Sequence, residues 1–328
     1  MIIATLKTIM IQISTDINKA KQILENEGLV AIPTETVYGL AGNIYSEKAI
    51  NKIFKTKNRP KHNPLIVHIH SINLLNNIAK EIPEKAKILA EKFWPGSITL
   101  VLKKKDTIPN SITAGKDTVA VRVPNHPLTL ELLKKLDFPL AAPSANPFGS
   151  ISPTTSQHVA NYFKETLEMV IDGGACNNGI ESTIVGFENE EVIIYRLGSI
   201  SVEEIESVVG PIKIKNKNNK SPNAPGMLSK HYAPKTKTIL TENIKAEIIN
   251  YPNSKIGVLL FNDLYINEKN IEKEILSNNW NLKEASANLY AALHRLDEKG
   301  LDIIIAEKFP ENDLGKSIND RLERATKK

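Results

Sequence analysis

Apolar positions along the chain switch repeatedly between a helical and a strand period. After the capping cluster Ser14-Thr15-Asp16, the residues Ile17, Ala20, Ile23 and Leu24 fall on one helical face that stops at Gly28. The apolar run LVAIPT then reads as a strand. Ala49, Ile50, Ile53 and Phe54 form a second helical stripe before the strand PLIVHIH. Ala86, Leu89, Ala90 and Phe93 form a third, closed by Trp94-Pro95-Gly96 before SITLVL. TVAVRVP, LEMVIDGG, STIVGF and EVIIYRL are further short strands rich in β-branched residues. Several lie too close together in sequence for helical crossovers, so the sheet is expected to be mixed.

The opening MIIATLKTIMIQIS reads as a first strand. Thr5, Lys7, Thr8 and Gln12 interrupt its apolar character, and no cleavage-type run of small residues follows it. Periodicity vanishes over KIKNKNNKSPNAPG, Lys213 to Gly226, and through MLSKHYAPKTK, which marks a linker. It restarts with the strand KIGVLLF, a helical face of Ala285, Leu289, Ala292, Leu293 and Leu296 ended by Gly300, and the strand LDIIIAE. The expected organisation is a first domain over 1–212, a linker or lid over 213–235, and a small α/β domain over 236–328.

Composition narrows the class. At 328 residues the chain exceeds the roughly 250–300 residues over which one core keeps growing, and 41% hydrophobic with 24% charged residues describes a folded protein. A net charge of +5 favours anionic partners such as nucleotides or RNA. The single cysteine, Cys176, excludes an internal disulfide and a multi-thiolate zinc site, and points to a reducing compartment. No segment approaches the ~18 consecutive apolar residues of a membrane span, so the cytoplasm is the expected location.

Three stretches could carry chemistry. FKTKNRPKHNPL, Phe54 to Leu65, concentrates Lys55, Lys57, Arg59 and Lys61. Pro60 favours an extended chain, on which Lys57 and Arg59 would point together as a phosphate clamp. The alternative is a solvated run whose lysines favour the dipole of a preceding helix. AAPSANPFGSISPTT, Ala141 to Thr155, offers small residues, neutral hydrogen-bonding groups and close backbone approach, or else an ordinary loop. PTETVYGLAGN, Pro33 to Asn43, puts Thr34, Glu35, Thr36 and Tyr38 at a strand end, a layout suited to a site, although a lone glutamate also serves as a cap. GxxxxGK[ST], HExxH and GxSxG are all missing.

PTETVYGLAGN, IFKTKNRPKHNPLIVHI, FWPGSITLVL, TVAVRVPNHP, AAPSANPFGSISPT, IDGG and GIESTIVGF occur in that order. Together they resemble the YrdC-type domain of the threonylcarbamoyl-AMP synthase family. Lys57-Asn58-Arg59 stand where that family has K-x-R, and Ser144-Ala145-Asn146 where it has S-x-N. APGMLSKHYAP resembles the linker of the long, two-domain members, and RLDEKGLDIIIAE with DLGKSINDRLERA resembles their C-terminal domain. The fold implied is α/β: a YrdC-like three-layer domain with a mixed twisted sheet, followed by a small Rossmann-like α/β domain.

The activity implied is ATP-dependent joining of L-threonine and bicarbonate into threonylcarbamoyl-AMP, with release of pyrophosphate, for modification of the adenosine next to the anticodon of tRNA. Partner proteins would complete the later transfer, direct tRNA contact is open, and Mg²⁺ would come with ATP, held mainly by phosphates and water rather than by a protein metal site. By this resemblance Lys57 and Arg59 are the catalytic candidates. Arg59, Asn63, Thr118, Ser144, Asn146, Ser152, Arg196, His231 and Tyr232 match nucleotide positions. Thr36, His68, Arg122, Ala142 and Ser182 match positions around threonine, with Arg122 suited to a bidentate grip on a carboxylate. His68 reads equally as a packed strand residue, facing the same way as Ile66 and His70.

The sequence departs from the family in having Leu197 where proline is expected, and polar Ser317 and Asn319 where alanine and a residue such as methionine are commoner. Two rival readings are O-carbamoyl transfer, whose larger enzymes carry a cysteine-rich zinc module missing here, and passive binding of double-stranded RNA or tRNA by a basic face.

Overall fold

In the computed structural model, which describes residues 11–216, 224–227, 231–263 and 271–327, the strands sort into two sheets. Among the described residues the larger sheet has eleven strands. In spatial order they are Gln12–Ser14, Met169–Ile171, Val30–Ile32, Gly39–Asn43, Leu140–Ala141, Ile66–His68, Thr118–Arg122, Ile98–Lys103, Thr183–Glu188, Glu191–Arg196 and Lys213–Ile214. It is mixed as expected. Ile66–His68 runs parallel to Thr118–Arg122, which runs antiparallel to Ile98–Lys103.

Side-chain alternation divides the strands between cores. Val30 and Ile32 face a core shared with Ile17, Ala20, Ile23, Leu24, Leu132 and Leu133, whereas Ala31 between them faces the core of Ile50, Ile53, Phe54, Leu89 and Ala90. Helices Ile17–Glu25 and Pro127–Lys135 therefore cover one face, and Glu47–Lys57 and Glu84–Phe93 the other. Three layers result.

Helix Glu47–Lys57 begins at Ser46, whose hydroxyl accepts from the Ala49 N–H at 3.1 Å, and ends at Asn58, which takes the left-handed conformation with φ 51°. Lys55 and Lys57 thus occupy the last helical turn rather than an extended chain. The two-residue alternation expected of Lys57 and Arg59 does not exist, because Asn58 supplies a tight turn ahead of Pro60.

The smaller sheet is parallel, in the order Lys237–Thr241, Ile303–Glu307, Ile256–Leu260, Ile271–Ile275. Helices Leu282–Asp297 and Asp313–Ala325 pack with it. Its core takes in Val37, Ile151 and Ile180 from the first domain together with Leu289, Tyr290, Leu293 and Ile318, so the two domains share buried apolar surface.

One expectation needs correction. The segment read as linker begins with an edge strand, Lys213–Ile214, paired to Ile193–Ile194, and holds buried Ala224 and Met227; residues 217–223 and 228–230 lie outside the described residues. Of the opening run read as a first strand, Gln12–Ser14 is strand, and residues 1–10 lie outside the described residues.

Candidate functional site

A cleft of about 570 Å³, counting its open mouth, lies where the strand ends Ile66–His68 and Thr118–Arg122 meet the loop after Ala141, the Glu181–Ser182 turn and the linker. Of the residues singled out from sequence, it is lined by Thr36, Arg59, His68, Arg122, Ala142, Ser144, Ser182, Arg196, His231 and Tyr232. Five others stand off it. Lys57, Asn63, Asn146 and Ser152 lie buried in or near its supporting loops. Thr118 opens the strand that Arg122 closes, about 13 Å away at ~3.3 Å per residue, and borders a different cavity with Lys103 and Phe187.

Three arginines line the cleft: Arg122 is ion-paired with Glu35, whereas Arg59 and Arg196 serve mainly carbonyl oxygens. Arg59 donates to the carbonyls of Asn63 (3.4 Å) and Pro64 (2.8 Å). Arg196 donates from Nε and Nη2 to the Ser182 carbonyl at 3.1 and 2.8 Å, and from Nη2 to the Ser182 hydroxyl at 3.0 Å. Lys57 donates from Nζ to the carbonyls of Ser144 and Asn146, clipping the S-x-N loop to the end of its helix. Burial, then the neighbouring Arg59, pushes the Lys57 ammonium well below its ordinary range. Burial, with Arg196 adding repulsion against a favourable Tyr232, brings Arg59 down to about 9. Carbonyl dipoles alone do not offset such cations; an anion would. The Asn63 carboxamide is buried with neither its oxygen nor its nitrogen hydrogen-bonded, an uncommon cost that a polar ligand would remove.

Arg122 is aimed from three sides. Its Nε donates to the Gly96 carbonyl (3.1 Å), its Nη1 to the Thr36 hydroxyl (2.9 Å), and its Nη2 stands 2.6 Å from Glu35 Oε1. The last contact is ionic and poorly aligned, so Nη2 has no hydrogen-bond partner and its N–H groups stay available to a ligand. Glu35 also accepts from Ser97 Oγ and the Asn125 N–H. Burial is the largest influence and would raise its carboxyl, but Arg122 and the Asn125 N–H together hold it below its ordinary value.

His68 places Nδ1 3.2 Å from the Ile66 carbonyl; a carbonyl only accepts, so Nδ1 carries the proton and Nε2 is left as an acceptor. Burial first, then Arg122, brings its pKa down to about 3, so the ring is neutral. As expected, it faces with Ile66, but His70 lies beyond the strand and borders another cavity.

Pro225, Gly226, His231 and Tyr232 contribute to the lining of the cleft. Tyr232 takes φ 63°, is buried, and stands in an edge contact with His231, which itself contacts Phe148 edge-on. Ala233 N–H donates to the Gly149 carbonyl at 2.8 Å, and Gly226, at φ +84°, brings the strap so close that a Cβ there would stand 2.7 Å from Arg196 Cδ.

Sequence reasoning did not single out Glu181, Arg321 or Tyr290, and left Glu35 open between part of a site at a strand end and a simple cap. Glu181 lines the cleft and pairs with Arg321 at 2.8 Å. In the sequence it lies within GIESTIVGF, just ahead of the strand Thr183–Glu188. The departures at Ser317 and Asn319 are local ties: Ser317 donates to the Gly198 carbonyl, and Asn319 clamps the backbone of Phe309. Leu197 leaves Arg196 in the cleft wall, its own carbonyl accepting from Arg321.

Comparison with known proteins bears on this geometry. Residues 22–198 match the Sua5/YciO/YrdC family, described as "Telomere recombination", and residues 200–326 match the "Threonylcarbamoyl-AMP synthase, C-terminal domain" family. The threonylcarbamoyl-AMP synthase of Pyrococcus abyssi is 40% identical over 312 residues, covering 91% of this chain and 90% of its own. That of Bacillus subtilis is 39% identical over 319 residues, covering 94% and 92%. The crystal structure of P. abyssi Sua5 complexed with L-threonine superposes with a TM-score of 0.88 at 40% identity, covering 94% of each chain. With both domains matched in order, the chain belongs to the two-domain threonylcarbamoyl-AMP synthase family and is an enzyme of the nucleotidyltransferase class.

Proposed function

We propose that this chain converts L-threonine, bicarbonate and ATP into L-threonylcarbamoyladenylate and pyrophosphate in the cytoplasm, for threonylcarbamoyladenosine modification of tRNA next to the anticodon. The observation that carries the reading is the pairing, in one cleft, of buried cations lacking carboxylate partners, Arg59 and Arg196, with a separately anchored Arg122. Two anionic groups of one reaction answer them, a triphosphate at Arg59 and Arg196 and an amino-acid carboxylate at Arg122.

The threonine amine adds to CO₂ from bicarbonate, giving a carbamate. A carbamate oxygen attacks the α-phosphorus, and the bond to the bridging oxygen breaks as pyrophosphate leaves. Arg59 and Arg196 take the phosphate charge, Ser144 contributes a hydroxyl, and Lys57 acts at one remove by fixing the Ser144–Asn146 loop. Arg122 takes the threonine carboxylate through Nη2, Thr36 and Ser182 lie within the same wall, Ala142 limits its width, and neutral His68 offers Nε2 as an acceptor. Catalysis on this reading is chiefly positioning of two charged reactants and exclusion of water from a fragile carbamate by His231 and Tyr232.

Thr118 would meet only a nucleotide lying along its strand. Asn63, Asn146 and Ser152 support the nucleotide side from behind. Mg²⁺ in this reading travels on ATP's phosphates and water, as its hard octahedral preference allows. Downstream threonylcarbamoyl transfer proteins would take the product, with or without direct tRNA contact by this chain. Among the described residues no helix is long and apolar enough to cross a membrane.

The test is product identity. With ¹³C-bicarbonate, L-threonine and Mg²⁺–ATP, mass spectrometry is expected to find an adenylate carrying both threonine and the label; unlabelled adenylate, or equal yield with other amino acids, contradicts the proposal.

A further inference from the structure

Glu181 is held from behind the cleft by the C-terminal domain. Arg321 Nε donates to Oε2 at 2.8 Å, the Tyr290 hydroxyl lies 2.9 and 3.1 Å from the two carboxylate oxygens, and Ser152 Oγ donates to Oε1 at 2.6 Å. Neither Arg321 nor Tyr290 lines the cleft. Arg321 makes three further contacts. Nη2 donates to the carbonyl of Leu197, next to Arg196, at 2.6 Å; Nη1 donates to Asp320 at 2.9 Å; and the guanidinium carbon stands 4.9 Å from the centre of the Tyr232 ring. One buried side chain of the last helix thereby touches a wall residue, the backbone beside a wall cation and the aromatic cover.

Glu181 and Arg196 both line the cleft. A buried carboxylate with no partner of its own would turn to the nearest guanidinium and cancel the charge that an incoming anion needs. Burial would raise the Glu181 carboxyl, yet Arg321 first and Arg196 second bring it to about 2, so it stays ionised and the competition is real.

We infer that Arg321 is a positioning residue for the anion site: it takes up the Glu181 carboxylate so that Arg196 remains open to phosphate, and it holds the face of Tyr232 over the cleft. This rests on the nucleotide reading of the cleft given above.

The test is calorimetric titration of the full chain with Mg²⁺–ATP and, separately, with L-threonine. Arg321→Met is expected to weaken ATP binding on the order of tenfold and threonine binding by less than about threefold. Adding Glu181→Gln to Arg321→Met removes the competing charge and is expected to restore ATP binding to within about threefold of the wild type, a rescue that a purely structural role would not give. Should Arg321→Met fail to hold its fold by circular dichroism, Arg321→Lys carries the test. It keeps a cation at Glu181, so ATP binding within about threefold of wild type is expected and a tenfold loss overturns the inference. Unchanged ATP affinity in folded Arg321→Met, or a double variant as weak as the single, overturns it alone. Wild-type protein that binds no ATP overturns it together with the nucleotide reading.

Discussion

Arg122 Nη2 stands 2.6 Å from Glu35 Oε1, both side chains buried, Arg122 in the wall of the cleft and Glu35 off its lining. The pair fixes the guanidinium plane while leaving Nη2 without an aligned hydrogen bond. Removing Glu35 therefore costs twice, once in a stranded buried cation and once in its aim. Glu35→Ala is expected to destabilise the fold by about 3–5 kcal/mol. In protein that still folds, the threonine KM should rise on the order of tenfold with the ATP KM little changed. Urea unfolding and initial rates check the two effects separately.

Lys57 sits behind the cleft and its ammonium serves two backbone carbonyls. Lys57→Met leaves those acceptors buried and unmet, at about 1–3 kcal/mol each, so the melting temperature should fall. Because the Ser144–Asn146 loop loosens, the ATP KM should rise while the threonine KM holds.

Gly226 tests the strap. A Cβ at its positive φ would press on Arg196 Cδ at 2.7 Å, so Gly226→Ala is strained twice over. The expected outcome is weaker ATP binding by calorimetry with threonine binding retained.

Acid stability should depend on two stacked imidazoles. His158, from the first domain, and His294, from the second, lie 3.9 Å apart, with Tyr162 against His294 and Arg295, Asp297 and Glu298 nearby. Burial first, then His294, brings His158 down to about 3 from an ordinary 6.5. The unfolded chain thus binds the proton that the folded chain refuses. The stacked pair's contribution is complete above about pH 6.5 and is lost as pH falls toward 3. Thermal melts from pH 7 to 5 should show a falling midpoint, with a shallower slope in His158→Phe, which keeps the stack and removes the proton.

Much of this was legible in the sequence, and the failures have physical causes. Ile50, Ile53 and Phe54 announced their helix because burial enforces a 3.6-residue period, and the mixed sheet followed from strands too close for crossovers. The Lys57–Arg59 geometry was misread because Pro60 constrains only its predecessor, whereas left-handed Asn58 decided where the helix stopped. The partners of Glu35, Glu181 and Arg321 escaped because they lie 87, 140 and 140 positions away along the chain, which no local pattern encodes.

The most direct test of the cleft as the reacting centre is pyrophosphate release measured with and without L-threonine, in wild type and Arg59→Met. The account predicts release that requires both threonine and bicarbonate and falls at least about a hundredfold in folded Arg59→Met. Release that ignores threonine, or full activity in Arg59→Met, would contradict it.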